Sequence, residues 1–347
     1  PQSRGLGDVY KRQRVDHGVF GYTRPTETIA ATVCQRLKVD YDWEIDPSWL
    51  VWLPGLVTGI NLACLLAGAE GDAVLTTTPV YPPFLAAPGH ARRTCISPAM
   101  RLAKGRWRLD MAALDAAITP QTRLFLLCSP HNPTGRVFTT AELTEVLDFC
   151  RAHDLIICSD EIHCQLILEE SCRHIPTATL NETALNRTIT LMAPSKTYNI
   201  PGLGCSFALI ANPSLRRRFK RAMAGIVPDV NTLGFTAAPA GYNEGEAWLG
   251  ALLAYLRGNR DLITRAVAQM PGLSTTPIEA TYLAWIDTRS TGIDNPASFF
   301  EGAGVGLSDG TEFGAPGFVR LNFGCRRALL TEALHRMHAA LQRHRHD

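Results

Sequence analysis

Between residues 50 and 240 the chain repeats one pattern, a short β-rich run followed by a longer amphipathic stretch. The apolar runs fall at 73–76, 123–128, 155–159, 188–192 and 206–210, and the helical patterns at 59–68, 111–117, 140–153 and 213–222. Strands that alternate with helices pair in a mostly parallel sheet, because each crossover helix covers a face and returns the chain to the same edge. The pattern predicts an α/β fold with helices on both faces of a central sheet. Ligands of such sheets sit beyond the carboxyl ends of the strands, so chemistry is expected directly after these runs.

A helical pattern at 244–270 leads into a second unit. There 281–286 and 318–323 read as strands, 302–317 as a glycine-rich loop and 327–343 as a terminal helix. The expected division is a large domain over 14–244 and a smaller C-terminal α+β domain over 245–347, in line with roughly 100–200 residues per domain. Residues 1–13, PQSRGLGDVYKRQ, show neither apolar periodicity nor a signal- or transit-peptide pattern. Native-looking sequence starts near Arg14, and the first dozen residues are expected to be a cloning or assembly scar replacing a genuine N-terminus.

Charge and cysteine usage exclude several classes. Thirty-four Lys and Arg against 32 Asp and Glu leave a net charge of +2, without the basic footprint of a nucleic-acid binder. No apolar run approaches the ~20 residues of a membrane span. The ten cysteines include no C-x-x-C pair and mostly sit in apolar stretches, as in Leu126-Leu127-Cys128. They read as buried thiols in a reducing cytoplasm rather than disulfides or metal ligands. The His-rich end at 343–347 reads as a solvated terminus, so no metal site is expected.

Three segments after predicted strands carry reactive groups. Asp160, in Ser159-Asp160-Glu161-Ile162-His163, follows the run at 155–158; alone, an acid there is as readily a turn or helix cap. Lys196, one of only five lysines, lies in Ser195-Lys196-Thr197 just after 188–192. Asn132 sits in Ser129-Pro130-His131-Asn132-Pro133-Thr134-Gly135, a loop stiffened by two prolines. Together they meet one demand. An aldehyde cofactor with an electron-accepting ring needs an amine for a Schiff base and a carboxylate to keep its ring nitrogen protonated. It also needs a neutral donor at its phenolic oxygen and a phosphate site. Lys196, Asp160 and Asn132 supply the first three. The segment Gly55-Leu56-Val57-Thr58-Gly59 opens a helical pattern, where free N–H groups suit an anion.

Pro79-Val80-Tyr81-Pro82-Pro83-Phe84 and the segments 130–135, 159–163, 195–202 and 319–324 form five ordered motifs. On them the chain resembles fold-type I, pyridoxal-5′-phosphate-dependent enzymes of the class I/II aminotransferase family. More narrowly it is similar to the MalY/PatB-type cystathionine β-lyases, from about Val15 to the terminal helix. The resemblance implies that Lys196 holds the cofactor covalently, Asp160 pairs with its pyridinium nitrogen, and Asn132 and His163 lie at its phenolic oxygen. It further implies that Tyr81 stacks on the ring, and that Ser195 and the backbone of Val57 and Thr58 hold the phosphate. Tyr22, in Phe20-Gly21-Tyr22, would reach the partner subunit's phosphate in a homodimer. Arg320 would clamp the substrate α-carboxylate by a bidentate pair; by itself it could be a surface arginine on an edge strand.

Many aminotransferases of this kind carry a phosphate-binding arginine several residues after the lysine, and 197–206 has none. The segments 199–203 and 306–310, with His163, match the lyase-like branch. The implied reaction is α,β-elimination from cystathionine or a related S-substituted cysteine, giving a thiol, pyruvate and ammonia, with Lys196 taking the α-proton. Two alternatives stay open, an amino-acid aminotransferase using the same carbanion and a regulatory protein that merely holds the cofactor. Relatives carry several dozen residues before the Phe-Gly-Tyr segment, so the expectation includes a truncated N-terminus.

Overall fold

The computed structural model describes residues 6–344, with side chains from residue 12. The readings placed on 1–5 and on 345–347 lie outside the described residues. Helices α1 (Leu6–His17) and α2 (Glu27–Tyr41) precede β1 (Leu50–Leu53) and α3 (Leu56–Leu66). There follow β2 (Ala73–Leu75), α4 (Pro83–His90), β3 (Thr94–Ile96), β4 (Arg101–Ala103), β5 (Arg106–Arg108) and α5 (Met111–Ala117). Next are β6 (Thr122–Cys128), α6 (Thr140–Ala152), β7 (Ile156–Asp160), α7 (Glu182–Arg187), β8 (Thr188–Met192), β9 (Ser206–Leu209) and α8 (Pro213–Met223). Helices α9 (Thr232–Glu244) and α10 (Glu246–Ala268) lead to β10 (Ser274–Thr275), β11 (Leu283–Asp287), α11 (Pro296–Gly302), β12 (Ser308–Asp309), β13 (Phe318–Asn322) and α12 (Arg327–His344).

Seven strands form the central sheet in the order β1-β9-β8-β7-β6-β2-β3. All neighbours are parallel except β9, which runs antiparallel to both β1 and β8. Period-two alternation splits each strand between two cores. On β6, Leu124, Leu126 and Cys128 pack with α3, α4 and α8, whereas Phe125 and Leu127 face the opposite layer, where α5 and α6 pack. Helix α6 starts with a capping box, in which Thr139 and Glu142 satisfy each other's backbone N–H groups. The C-terminal sheet, order β10-β11-β13-β12, packs its apolar face on α10 and α12 through Leu256, Ile263, Val319, Leu321 and Leu334.

The architecture is the expected one, a mostly parallel sheet covered on both faces. Several elements were not legible. The short edge strand β1 and helices α2, α4 and α9 carried no pattern that was read. The glycine-rich stretch 302–317, expected as loop, contains β12 and a 3-10 turn, because two residues pairing with β13 suffice to make a strand there. Arg320 lies on an interior strand, between β11 and β12, which corrects the edge-strand alternative. Helix α1 runs without a break across residues 13 and 14. No helix among the described residues is long and apolar enough to cross a membrane.

Candidate active site

Three adjacent parallel strands end level with one another. Cys128 on β6 pairs with Asp160 on β7, and Asp160 pairs with Leu191 on β8. The loops leaving this edge carry Asn132 and Lys196, so the sheet register itself brings the three predicted groups to one cleft. That cleft has a volume of about 300 Å³, at the lower end for small-molecule sites. Tyr81, Asn132, Asp160, His163, Ser195, Lys196, Arg320 and Val57 all line it.

Asp160 is buried, and its Oδ1 accepts the N–H of Ile162 at 3.1 Å. Burial pushes its carboxyl up to about 7, with the Ile162 bond pulling down, Glu161 pushing up and Lys196 pulling down. Glu161 points the other way, as the next residue along a strand must. It meets Ser159 Oγ (2.8 Å), the Thr177 N–H (2.9 Å) and His174 Nε2 (2.8 Å), a wholly buried anchor beneath the catalytic edge. Sequence reasoning passed over this residue.

The Asn132 loop is tied down at both ends. Ser129 N–H donates to the Asp160 carbonyl (3.0 Å), and His131 N–H to that of Arg136 (2.8 Å). The Ser129–Pro130 and Asn132–Pro133 peptides are cis, and Gly135 has φ +69°. A Cβ at Gly135 would stand 3.2 Å from the Ala280 carbonyl oxygen, so glycine is required for both φ and contact. That approach lets Gly135 accept N–H bonds from Glu279 (3.0 Å) and Ala280 (2.9 Å) of the C-terminal unit. Wholly buried Arg136 completes the seam, with Nε on Glu279 at 3.2 Å and Nη2 on Glu142 at 2.8 Å.

Arg320 reaches across from β13. Its Nη1 donates to Asn132 Oδ1 (3.0 Å) and its Nη2 to Ser308 Oγ (3.2 Å), and the guanidinium lies 4.7 Å from the Phe313 ring centroid. Burial lowers its pKa. With Oδ1 engaged, the Asn132 amide N–H donors have no partner among the described residues. His163 is buried, and its Nδ1 has no hydrogen-bond partner among the described residues. Burial, then the Lys196 and Arg320 cations, press its pKa down to about 3, so the ring is neutral.

At the opposite end, α3 opens at Gly55 without a side-chain cap, and a Cβ at Gly55 would meet nothing within 4 Å. The first-turn N–H groups have no side-chain acceptor, and Gly55, Leu56 and Val57 border the cleft, an arrangement suited to an anion. The Thr58 side chain is half-buried outside the cleft lining. Tyr22 stands fully exposed on the N-terminal segment, away from the site of its own chain. Tyr282, Asn322 and Cys205 also line the cleft and were not anticipated. Ser308 lay in a stretch that was noticed, 306–310, but nothing in the sequence linked it to Arg320.

The match to the model for "Aminotransferase class I and II" spans residues 13–337. The cystathionine β-lyase PatB of Bacillus subtilis is 31% identical over 338 residues, covering 95% of this chain and 87% of the relative. A solved structure described as OvoB superimposes with a TM-score of 0.95 at 48% identity, over 97% of this chain and 89% of that one. Cystalysin from Treponema denticola, whose structure contains pyridoxal 5′-phosphate, matches with a TM-score of 0.93 at 32% identity, over 97% and 88% of the two chains. The order of strands, the level strand ends that gather Asn132, Asp160 and Lys196, and these matches agree, and the chain belongs to the class I and II aminotransferase family with the fold-type I architecture.

Proposed function

We propose that this protein is a pyridoxal-phosphate-dependent C–S β-lyase acting on cystathionine or related S-substituted cysteines. One observation carries the reading. Lys196, Asp160 and Arg320, an amine, a buried acid and a carboxylate-binding cation, converge on one cleft from three different elements. The choice of lyase over transaminase rests on relatives such as the Bacillus subtilis cystathionine β-lyase.

The residues present fit the cofactor. A carboxyl buried with a single backbone donor wants a cationic N–H beside it, and Asp160 is so placed. The orphaned His163 Nδ1 and the uncommitted Asn132 donors call for a polar neighbour, and the uncapped first turn at Gly55 calls for an anion. When bound, pyridoxal phosphate supplies a ring that accepts the negative charge developing at the substrate Cα. Asp160 would hold a proton at the ring nitrogen, Ser195 and the N–H groups of Val57 and Thr58 would bind phosphate, and Tyr81 would cover the ring face. Arg320 would fix the α-carboxylate as a bidentate pair, which sets the Cα–H bond beside the Lys196 amine. Lys196 would take the α-proton, and the electron pair left at Cα would become a Cα=Cβ bond as the Cβ–S bond breaks and the thiolate leaves, water then converting the released enamine to pyruvate and ammonia.

We place the domain boundary between 244 and 245, where Gly245 ends α9 and begins α10. The functional unit in this reading is a homodimer. Val19, Phe20 and Tyr22 form an exposed apolar strip, and Tyr22 would reach the partner's phosphate site. The ten unpaired thiols fit a reducing cytoplasm. Incubation with cystathionine tests the chemistry: pyruvate and free thiol released without any keto-acid acceptor support the lyase. Keto-acid-dependent amino transfer alone would establish the transaminase instead, and cofactor binding without turnover would favour a regulator.

A further inference from the structure

The wall of the cleft beyond Arg320 is built with more care than a cofactor site needs. Arg320 on β13 pairs with Trp285, and Asn322 pairs with Leu283, so Tyr282 stands just before the first residue of β11. At about 3.4 Å per residue, the three positions from Trp285, opposite Arg320, back to Tyr282 place Tyr282 roughly 10 Å along the wall. A carboxylate clamped by Arg320 leaves the rest of an amino acid free to extend over this distance.

Three features aim the Tyr282 ring. Thr281, buried and β-branched, takes φ +72°, a left-handed conformation that such residues adopt only under constraint. Its N–H donates to the Leu166 carbonyl (2.8 Å) and its hydroxyl accepts the Leu283 N–H (3.1 Å), which hold the turn in place. Gly324 lies against the ring, where a Cβ would come within 3.3 Å of Tyr282 Cγ. The His163 ring packs edge-on at 5.8 Å between centroids. The phenol itself forms no hydrogen bond among the described residues, although the side chain is half-buried in the cleft. Burial raises its pKa to about 12, so it stays protonated and serves as a donor.

We infer that Tyr282 is a specificity-determining contact that donates a hydrogen bond to an acceptor, such as a carboxylate, on the thiol side of an S-substituted cysteine. The inference rests on the lyase reading for the nature of that substituent. It selects substrates whose leaving group carries a polar end over those with a plain alkyl end. The half-buried phenol is open to water before substrate binds, and a carboxylate that displaces that water gains a charge-assisted bond that an alkyl end cannot supply.

The test is a binding measurement on the holoprotein, with two amino acids that have no leaving group. L-2-aminoadipate ends in a carboxylate, and L-norleucine is its apolar counterpart in length. Affinities are read from the change in cofactor absorbance on titration. Wild type should prefer aminoadipate, and Tyr282→Phe should bind it about tenfold more weakly while binding norleucine unchanged, in keeping with loss of one hydrogen bond to a charged group. Absence of the preference in wild type, or equal changes for both ligands in Tyr282→Phe, overturns the inference. Binding needs no turnover, so the two readings fail separately. Selective weakening in a protein that releases no pyruvate from cystathionine keeps the contact and removes the lyase; pyruvate release with no selective weakening does the reverse.

Discussion

Asp160→Asn should make the cofactor-free protein more stable at alkaline pH while destroying its chemistry. Asp160 is buried, with one backbone donor and no ion-pair partner among the described residues, and burial raises its folded pKa from 3.8 to about 7. A raised carboxylate pKa means that the folded state binds the proton more tightly than the unfolded state. Stability therefore falls as pH rises between the two values, and the loss is complete above about pH 7. At about 1.4 kcal/mol per pH unit the full penalty is roughly 4 kcal/mol, more than half of which accrues between about pH 5 and about pH 8. Asparagine has the shape of the protonated acid and no charge to desolvate, so the variant escapes this penalty. His131 and His163, both held near 3 by burial, bend the curve the other way, adding stability as pH climbs toward about 6.5. They are common to both proteins and drop out of the difference. The assay is urea unfolding of the stripped proteins at about pH 5 and about pH 8. The advantage of Asp160→Asn should widen by about 2–3 kcal/mol over that range. A constant difference, or a variant less stable at the higher pH, would refute the reasoning. In the holoprotein the order should reverse, because the carboxylate gains a cationic partner that asparagine cannot match.

The other predictions concern single contacts. Lys196→Ala should abolish the visible absorbance of covalently held cofactor and lower turnover by at least about 10³-fold; wild-type turnover in that variant would remove Lys196 from the mechanism. Arg320→Ala should weaken amino-acid binding by about 10²-fold, the scale of a lost charge-assisted pair, with cofactor loading unchanged by absorbance. Arg136→Met should cost about 1–3 kcal/mol in denaturant unfolding, because Glu142 and Glu279 lose their buried shared cation and keep only Arg108 (3.7 Å) and Arg106 (2.8 Å), respectively.

The sheet and its reactive edge were legible because both rest on local patterns. Apolar runs such as 123–128 and 188–192 announce strands, and a lysine or acid placed directly after one is conspicuous. What escaped depends on pairing across distance. Ser308 and Arg320 are 12 residues apart and meet only because β12 lies beside β13. Tyr282 belongs to the cleft because Thr281 adopts a backbone conformation that its residue type disfavours, so propensity points away from the answer. Glu161 and Asp160 are adjacent acids with opposite fates, and only the pleat decides which faces the cleft. Tyr22 is the reverse case, noticed in sequence and exposed on the single chain, and the dimer proposed above would give it a target in a second subunit.

The seam between Gly135 and residues 279–280 bears on how the protein comes apart. Two main-chain bonds and the Arg136 pairs join the Asn132 loop to the turn that leads into β11. Segments so joined exchange their amide hydrogens as one cooperative unit rather than by separate local openings. The amides of Glu279 and Ala280 should therefore share the protection of the β6–β7 core, although they lie nearly 150 residues downstream. The loop that presents Asn132 and the strand pair that presents Arg320 would then melt together, which leaves little room for a partially unfolded form that retains half of the substrate site.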